Sequence, residues 1–292
     1  MQLTSGLETF LYCYEDGAAR VVCPFSVRSY AGQSDLLTPY GFSGFVGTGS
    51  NGGFPARWAE FARAEGFVCG YIGLHPALDP GLFLSAEAHV QNSVFLLDLT
   101  RSTAQLFGGM SVNRRRQLRE WERGDVKAVT DRVRLGRFFS EHLSAFLDER
   151  RAARIYYLSA STLDALFASD DVFLLGAEVD GELEAVSVFA HTPYIADYLF
   201  NVSIPAGRRH SAPLIWYGAQ CLKAAGTPLL NLGGGIRPGD GVAGFKARFG
   251  ARETPLRSLR QVYRPDVYEE LCRLAAVASV TPGDYFPPYH AR

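Results

Sequence analysis

From Arg132 onward the chain alternates between two apolar periods, and that alternation constrains its fold more than any other feature. A segment of helical spacing, Arg132 to about Glu149, precedes a short helix from Ser161 and two runs of strand length, Val172–Glu178 and Glu184–Ala190. Asp180-Gly181 between those runs is a tight-hairpin signal. A strand at Ile195–Val202, a helix at Ala212–Ala225 and a strand at Leu229–Leu232 follow, then a glycine-rich loop, a short helix around Phe245, a strand near Leu256–Tyr263 and a last helix, Pro265–Ala278. Strands interleaved with helices predict an α/β fold.

The first half reads in a similar order. Strand-like runs at Thr9–Tyr14 and Arg20–Val27 lead into a segment rich in Gly and Pro, Gly32 to Gly53, which reads as a long ordered loop. Pro55 suits the first turn of a helix over Ala56–Ala64, ended by Gly66, and strands follow at Phe67–Leu74 and Val90–Leu99. Ser111 can cap a basic helix running to Arg123, Gly124 stops it, and Val126–Val129 reads as a short strand. A domain junction is expected there, giving domains 1–124 and 125–292 with the chemistry in the second, and the final helix 265–278 free to pack back on the first. A length of 292 residues suits two cores of roughly 100–150 residues each.

Charge excludes a global pull towards nucleic acid or an anionic membrane, because 29 Lys and Arg face 30 Asp and Glu. Any such affinity must be local. The most basic run, Arg114-Arg115-Arg116 with Arg119 and Arg123, is interrupted by Glu120 and Glu122, which favours a solvated helix face over a phosphate-binding surface. Cys13, Cys23, Cys69, Cys221 and Cys272 have no spacing that suggests a metal site, and they read as reduced core residues. Neither a signal peptide nor a membrane span is expected, so a cytoplasmic protein is.

Two segments carry chemistry. In Tyr198–Gly226 a strand runs through Arg208-Arg209-His210-Ser211 into an amphipathic helix. A helix N-terminus beside two guanidinium groups suits a phosphate, either the pyrophosphate of CoA or the terminus of a tRNA. The competing reading is an ordinary exposed loop with Ser211 as N-cap. The second segment is Leu230-Asn231-Leu232-Gly233-Gly234-Gly235, followed by Asp240–Gly250 with Phe245-Lys246 at its centre. Gly233 and Gly234 allow a ligand to approach the backbone closely, and a lysine between Phe245 and Phe249 can stabilise the oxyanion of a tetrahedral intermediate. No GxSxG elbow or activated cysteine is present, so direct transfer is expected. The general base stays open: Asp240 either serves or simply orders the glycine loop, and an acceptor's own carboxylate is the other choice. His75 and His191 read as structural, His210 as the histidine placed to matter.

The stretches "DLLTPYGFSGFVG" (Asp35–Gly47), "SVNRRRQLREWERGDV" (Ser111–Val126) and "LGGG…GDGVAGFKARFG" resemble the FemAB/FemX-like transferases, in the right order and over most of the chain. The resemblance implies two GNAT-like domains, each a central mixed sheet flanked by helices, and transfer of an amino acid from aminoacyl-tRNA to a peptide amine in wall-precursor or peptide-antibiotic assembly. It implies Phe245 and Lys246 at the transfer centre. Arg208, Arg209, His210, Ser211, Gly233 and Gly234 would bind the donor. Tyr198, Arg154 and Tyr157 would line an acceptor channel at the interface of the halves, with Tyr40 and Phe42 facing it from the first half.

No heptad run is long enough for the coiled-coil arm of some family members, so a tRNA would be held mainly through its acceptor end. Its partner would be a small or carrier-bound peptide. No bound cofactor and no metal are expected, aminoacyl-tRNA or acyl-CoA being a co-substrate, and a monomer is plausible. An acyl-CoA-dependent N-acyltransferase is the alternative, and a non-catalytic module binding a peptide or nucleotide sugar is the second.

Overall fold

The computed structural model describes residues 6–39, 41–49, 52–277 and 285–291. By internal contacts the chain divides into two compact units, Met1–Asn92 with Pro255–Arg292, and Ser93–Thr254.

The first unit opens with β1 (Thr9–Asp16), β2 (Ala19–Tyr30) and β3 (Gln33–Leu37), then β4 (Val46–Thr48), α1 (Phe54–Ala64) and β5 (Cys69–Leu74). The segment expected to be one long loop, Gly32–Gly53, therefore contains two short strands. β3 pairs with β2 antiparallel and with β5 parallel, and β4 pairs with β2. Short pairings of this kind leave little periodicity to read in a sequence. α1 buries Phe54, Trp58 and Ala62 against Val21, Phe25, Phe45 and Ile72. Trp58 Nε1 donates to Gln261 Oε1 at 2.9 Å, so the buried indole is satisfied.

The chain enters the second unit along β6 (Ala88–Asp98), which is followed by α2 (Thr103–Gly109) and α3 (Val112–Arg123). α2 was not expected; a capping box of Ser102 and Gln105 starts it. Then come β7 (Lys127–Val129), α4 (Arg132–Glu149), α5 (Ala160–Ala168), β8 (Val172–Val179), β9 (Glu182–His191), β10 (Ala196–Ser203), α6 (Ser211–Ala224), β11 (Leu229–Gly234) and α7 (Gly241–Ala247). The strand order in this unit is β6-β11-β10-β9-β8-β7. Only β10 and β11 pair in parallel, as a strand–helix–strand crossover through α6 requires.

Alternate strand residues feed two layers. On one face Leu175, Ala185 and Phe189 meet α6 through Ile215 and Ala219, together with Leu106, Leu118 and Trp121. On the other, Leu174, Val186 and Val188 meet α4 through Phe139 and Leu143. Because α2 and α3 are buried in the same cluster as α6, the unit begins at Ser93, whereas the sequence pattern suggested a junction after Gly124.

β12 (Arg252–Val262) returns the chain to the first unit, where it pairs with β5 between Arg257 and Val262. α8 (Pro265–Leu274) ends four residues earlier than its sequence pattern suggests, and residue 278 lies outside the described residues. Tyr268 and Leu271 of α8 pack with Phe286 and Tyr289 on Val68 and Cys69. Among the described residues no helix is long and apolar enough to cross a membrane, and no group of three or more His, Cys, Asp and Glu side chains is arranged to hold a metal. All five cysteines are free; Cys23, Cys69 and Cys272 are buried, whereas Cys13 and Cys221 are exposed rather than in the core.

Candidate functional site

The second unit concentrates polar groups where β11 turns into α7. Lys246, half-buried on α7, donates from Nζ to the Gly234 carbonyl at 2.6 Å. Gly233 has φ +73°, the left-handed region that favours glycine, and a Cβ there would lie 3.0 Å from that ammonium, so a side chain would strain the turn and push the lysine aside. Burial lowers the Lys246 pKa to about 8, and the nearby Asp240 charge opposes the drop. Asp240 is the N-cap of α7: its Oδ1 accepts from Ala243 N at 2.8 Å, and its Oδ2 from Ile236 N at 2.7 Å and Arg237 N at 3.0 Å. Those backbone donors hold its pKa below the usual value, so Asp240 is a fixed anion that orders the loop.

β10 and β11 pair only at Ala196↔Leu230 and Asp197↔Asn231. β10 continues to Ser203 and β11 to Gly234 without further pairs between them, so their ladder opens after Asp197↔Asn231. Past that point β10 is irregular against β9 between Tyr198 and Phe200, and β11 against β6 between Asn231 and Gly234. At the last pair Asn231 Nδ2 donates to Asp197 Oδ1 at 2.9 Å, while Asn231 Oδ1 accepts from Gly233 N at 2.8 Å. The buried amide thus connects the Asp197 carboxylate to the glycine turn that receives Lys246. Burial raises the Asp197 pKa to about 6, and the bond from Asn231 offsets only a fraction of that rise.

Behind Lys246 stands Arg114 of α3. Its guanidinium carbon lies 4.4 Å from the centre of the Phe245 ring and 4.3 Å from that of Phe249, and Nη2 donates to the Phe245 carbonyl at 3.0 Å. At 3% exposure Arg114 does not belong to a solvated face, in contrast to the reading of its basic run. Burial lowers its pKa to about 10. The carbonyl it grips belongs to the residue before Lys246, so α3 holds the helix that aims the lysine. Ser111 N donates to the Arg248 carbonyl at 3.0 Å and fastens the same helix end.

The Arg208 loop is built differently. Ala206–His210 form a 3-10 turn that runs into α6 without a break, so Ser211 is the first helical residue and not an N-cap. Arg208 pairs with Glu149, and Arg209 with Glu184 at 3.4 Å. His210 is buried and engaged at both ring nitrogens. Trp121 Nε1 donates to Nδ1 at 2.9 Å, which leaves the proton on Nε2 to donate to Glu184 at 2.9 Å. Burial lowers the His210 pKa, which agrees with this neutral tautomer. Ser211 Oγ donates to Asn201 Oδ1 at 3.0 Å. A Cβ at Gly207 would meet the Glu184 carbonyl at 1.9 Å, so this glycine serves the close contact with β9. His210 and Ser211 are framework residues here.

Tyr198 adjoins Asp197 on β10 and packs its ring 5.5 Å from Phe189, and burial raises its pKa. Arg154 and Tyr157 adjoin the α4–α5 layer, whereas Phe245 packs with the α6 cluster on the other face of the sheet. Arg154 opens an exposed 3-10 turn, Arg154–Tyr156. Tyr157 donates to Asp148 at 2.6 Å and lines a cavity of about 210 Å³ with Ser140, Leu143 and Leu163, over the layer formed by α4 and α5. Phe42, in the first unit, has its ring 6.5 Å from that of His75; Tyr40 lies outside the described residues. His75 accepts from Ala77 N and Leu78 N through Nδ1, and burial takes its pKa down to about 4, the behaviour of a turn cap. His191 ends β9 with its ring 6.1 Å from Phe173.

Three residues of the site are not evident from the sequence. Asp197 is the one carboxylate in the run Ile195–Val202, Asn231 the one polar side chain in Leu229–Leu232, and Arg114 reads with its exposed neighbours. A lone polar residue in an apolar strand is the available signal.

No protein-family model matches the chain, and no curated protein matches it. Solved structures do. FemX superposes with a TM-score of 0.68 at 11% identity, over 89% of this chain and 90% of FemX. The C-terminal domain of a putative lysylphosphatidylglycerol synthetase from Agrobacterium fabrum gives 0.59 at 17% identity, over 94% and 90%. The structure described as L-PGS from Bacillus licheniformis gives 0.54 at 12%, over 92% and 87%. The chain therefore shares its fold with FemX and these proteins, as the resemblance of its motifs implied.

Proposed function

We propose that this chain moves an acyl group directly to an amine, with aminoacyl-tRNA as donor and a peptide or carrier-bound peptide as acceptor. The observation that carries this reading is the Lys246 ammonium, half-buried, held at the Gly234 carbonyl and set beside the opening of β10 and β11. When an amine attacks an ester carbonyl, negative charge develops on the carbonyl oxygen. A preorganised ammonium in a site of reduced water content stabilises that charge more than the neutral ester it came from. With a pKa of about 8 the group is still mainly protonated at neutral pH. Gly233 and Gly234 present no side chain to the approaching acyl group, and Arg114 fixes the helix that carries the lysine.

Two observations favour an aminoacyl ester over acyl-CoA. Arg208 and Arg209 are engaged by Glu149 and Glu184, and the Gly207 N–H is bonded to the Ile204 carbonyl, so the loop expected to grip a pyrophosphate has its charges and a backbone donor occupied within the unit. The fold is also shared with the C-terminal domain described as that of a putative lysylphosphatidylglycerol synthetase, a name that describes an aminoacylated product. Fold alone assigns no reaction, so the donor is the point to test. Purified protein is offered an amine-bearing peptide with a pool of labelled aminoacyl-tRNAs in one reaction and labelled acetyl-CoA in another. Label moving from tRNA, abolished by ribonuclease, is the expected result. Transfer from acetyl-CoA alone would replace the donor, and no transfer from either would overturn the reading.

A further inference from the structure

Direct transfer to an amine releases a proton, and the groups given a role in the transfer so far do not accept it. The attacking nitrogen becomes positively charged as its bond to the carbonyl carbon forms, and it must lose a proton before or while the bond from that carbon to the leaving oxygen breaks. Lys246 is a cation in this role, and Asp240 is fully occupied by backbone N–H groups. Tyr198 has its pKa raised by burial, so its phenol keeps its proton.

Asp197 differs from all of these. It occupies the last bonded pair of β10 and β11, where the strands diverge. One oxygen accepts from Asn231. The other has no hydrogen-bond partner among the described residues, yet it is not among the side-chain atoms sealed from solvent. A carboxylate oxygen that is neither paired nor sealed, at the opening of a wedge, is available to a ligand. The charged and titratable groups around it are few: Tyr198 beside it, His191 at the end of the neighbouring strand, and Lys246 beyond Asn231 and Gly233. None of them forms an ion pair with it: burial and the bond from Asn231 are what act on its charge. Asn231 fixes its orientation and at the same time holds the turn that receives Lys246, so one amide sets the proton acceptor and the oxyanion donor relative to each other.

We propose that Asp197 is the proton acceptor for the attacking amine, a proposal that rests on the acyl-transfer reading above. The nitrogen bonds to the acyl carbon, its proton passes to the free oxygen of Asp197, the carbon–oxygen bond of the ester breaks, and the carboxylic acid returns the proton to the departing alkoxide. The sum is an amide and a free hydroxyl, with Asp197 regenerated. Its raised pKa suits that exchange near neutral pH.

The test uses Asp197→Asn, which keeps the shape and can still accept from Asn231 Nδ2, but cannot take a proton. Transfer to a peptide amine and transfer to hydroxylamine, whose adduct is acidic enough to lose its proton to water, are measured with the same donor. The expected result is a loss of about 10²–10⁴-fold with the peptide amine, a loss of less than about tenfold with hydroxylamine, and disappearance of the acidic limb of the pH profile. Equal losses with both nucleophiles, or a loss below about threefold with the peptide amine, would overturn the assignment while leaving the transfer reaction standing. Absence of transfer by the unaltered protein would remove both. Asp197→Glu, which restores a carboxylate one methylene further out, should regain some of the peptide-amine rate and the acidic limb if the role is proton transfer, and a thermal melt of each variant identifies any that fails to fold.

Discussion

The two loops that leave the parallel strands of the second unit have similar promise in sequence and opposite fates in the fold. After β10, Arg208, Arg209, His210 and Ser211 each find a partner inside the unit, in Glu149, Glu184, Trp121 and Asn201. After β11, the lysine faces a glycine turn and the nearby Asp197 keeps one oxygen unbonded. Charge density in a loop therefore does not measure the charge left available to a ligand when carboxylates from distant elements converge on it. A single polar group in an apolar strand is a signal of another kind, because burying it without a complete set of partners costs free energy.

The largest effect that would break this contrast is expected at Lys246. Lys246→Ala should lower transfer by about 10²–10³-fold, with little change in thermal stability, as measured by initial rates under saturating donor and acceptor. If the protonated amine is the working form, activity also falls as pH rises through about 8. The sign of its stability effect is opposite. The folded pKa lies below the unfolded value of about 10.4, so the unfolded chain binds more protons between these values and stability rises with pH across that window. Denaturant titrations at pH 8 and pH 10, compared between the parent and Lys246→Met, check this.

A smaller effect is expected at Arg114. Arg114→Met keeps the apolar packing against Phe245 and Phe249 but drops the bond to the Phe245 carbonyl, and should cost about 1–3 kcal/mol of stability together with a fall in kcat that exceeds any rise in KM. At His210 the expected effect is on folding alone. His210→Ala leaves the buried Trp121 N–H without an acceptor, for about 1–3 kcal/mol, and chemical denaturation should show it. Because the folded His210 pKa is lowered, the parent loses this contribution as pH falls below the unfolded value of about 6.5. The smallest effects belong to the exposed ion pairs. Arg208→Ala and Arg209→Ala should each change donor KM by less than about threefold; a tenfold rise in KM with unchanged kcat would restore the loop as a donor site and remove the contrast.

Much of the scaffold was legible. The Asp180-Gly181 hairpin, the Ser111 start and Gly124 end of α3, and the α6 helix could be read because each depends on neighbours within a few residues. β3 and β4 were not legible inside a segment rich in glycine, since their pairing with β2 is a property of the partner strand. At the site, Phe245, Lys246, Gly233 and Gly234 could be proposed from one contiguous motif. Arg114 was misread because its face of α3 is covered by residues 131 positions later in the chain.

By itself, then, the sequence determined the order and type of most elements, the glycine turn after β11 and the lysine that follows it, all of which follow from local backbone preferences and apolar period. Tertiary structure alone decided which charges were neutralised. Glu149 and Glu184 meet Arg208 and Arg209 only once α4, β9 and the α6 turn are packed together. One oxygen of Asp197 has no partner among the described residues, at the point where the β10–β11 ladder ends. The free energy of a charge depends on what surrounds it in space, and no spacing along the chain encodes that.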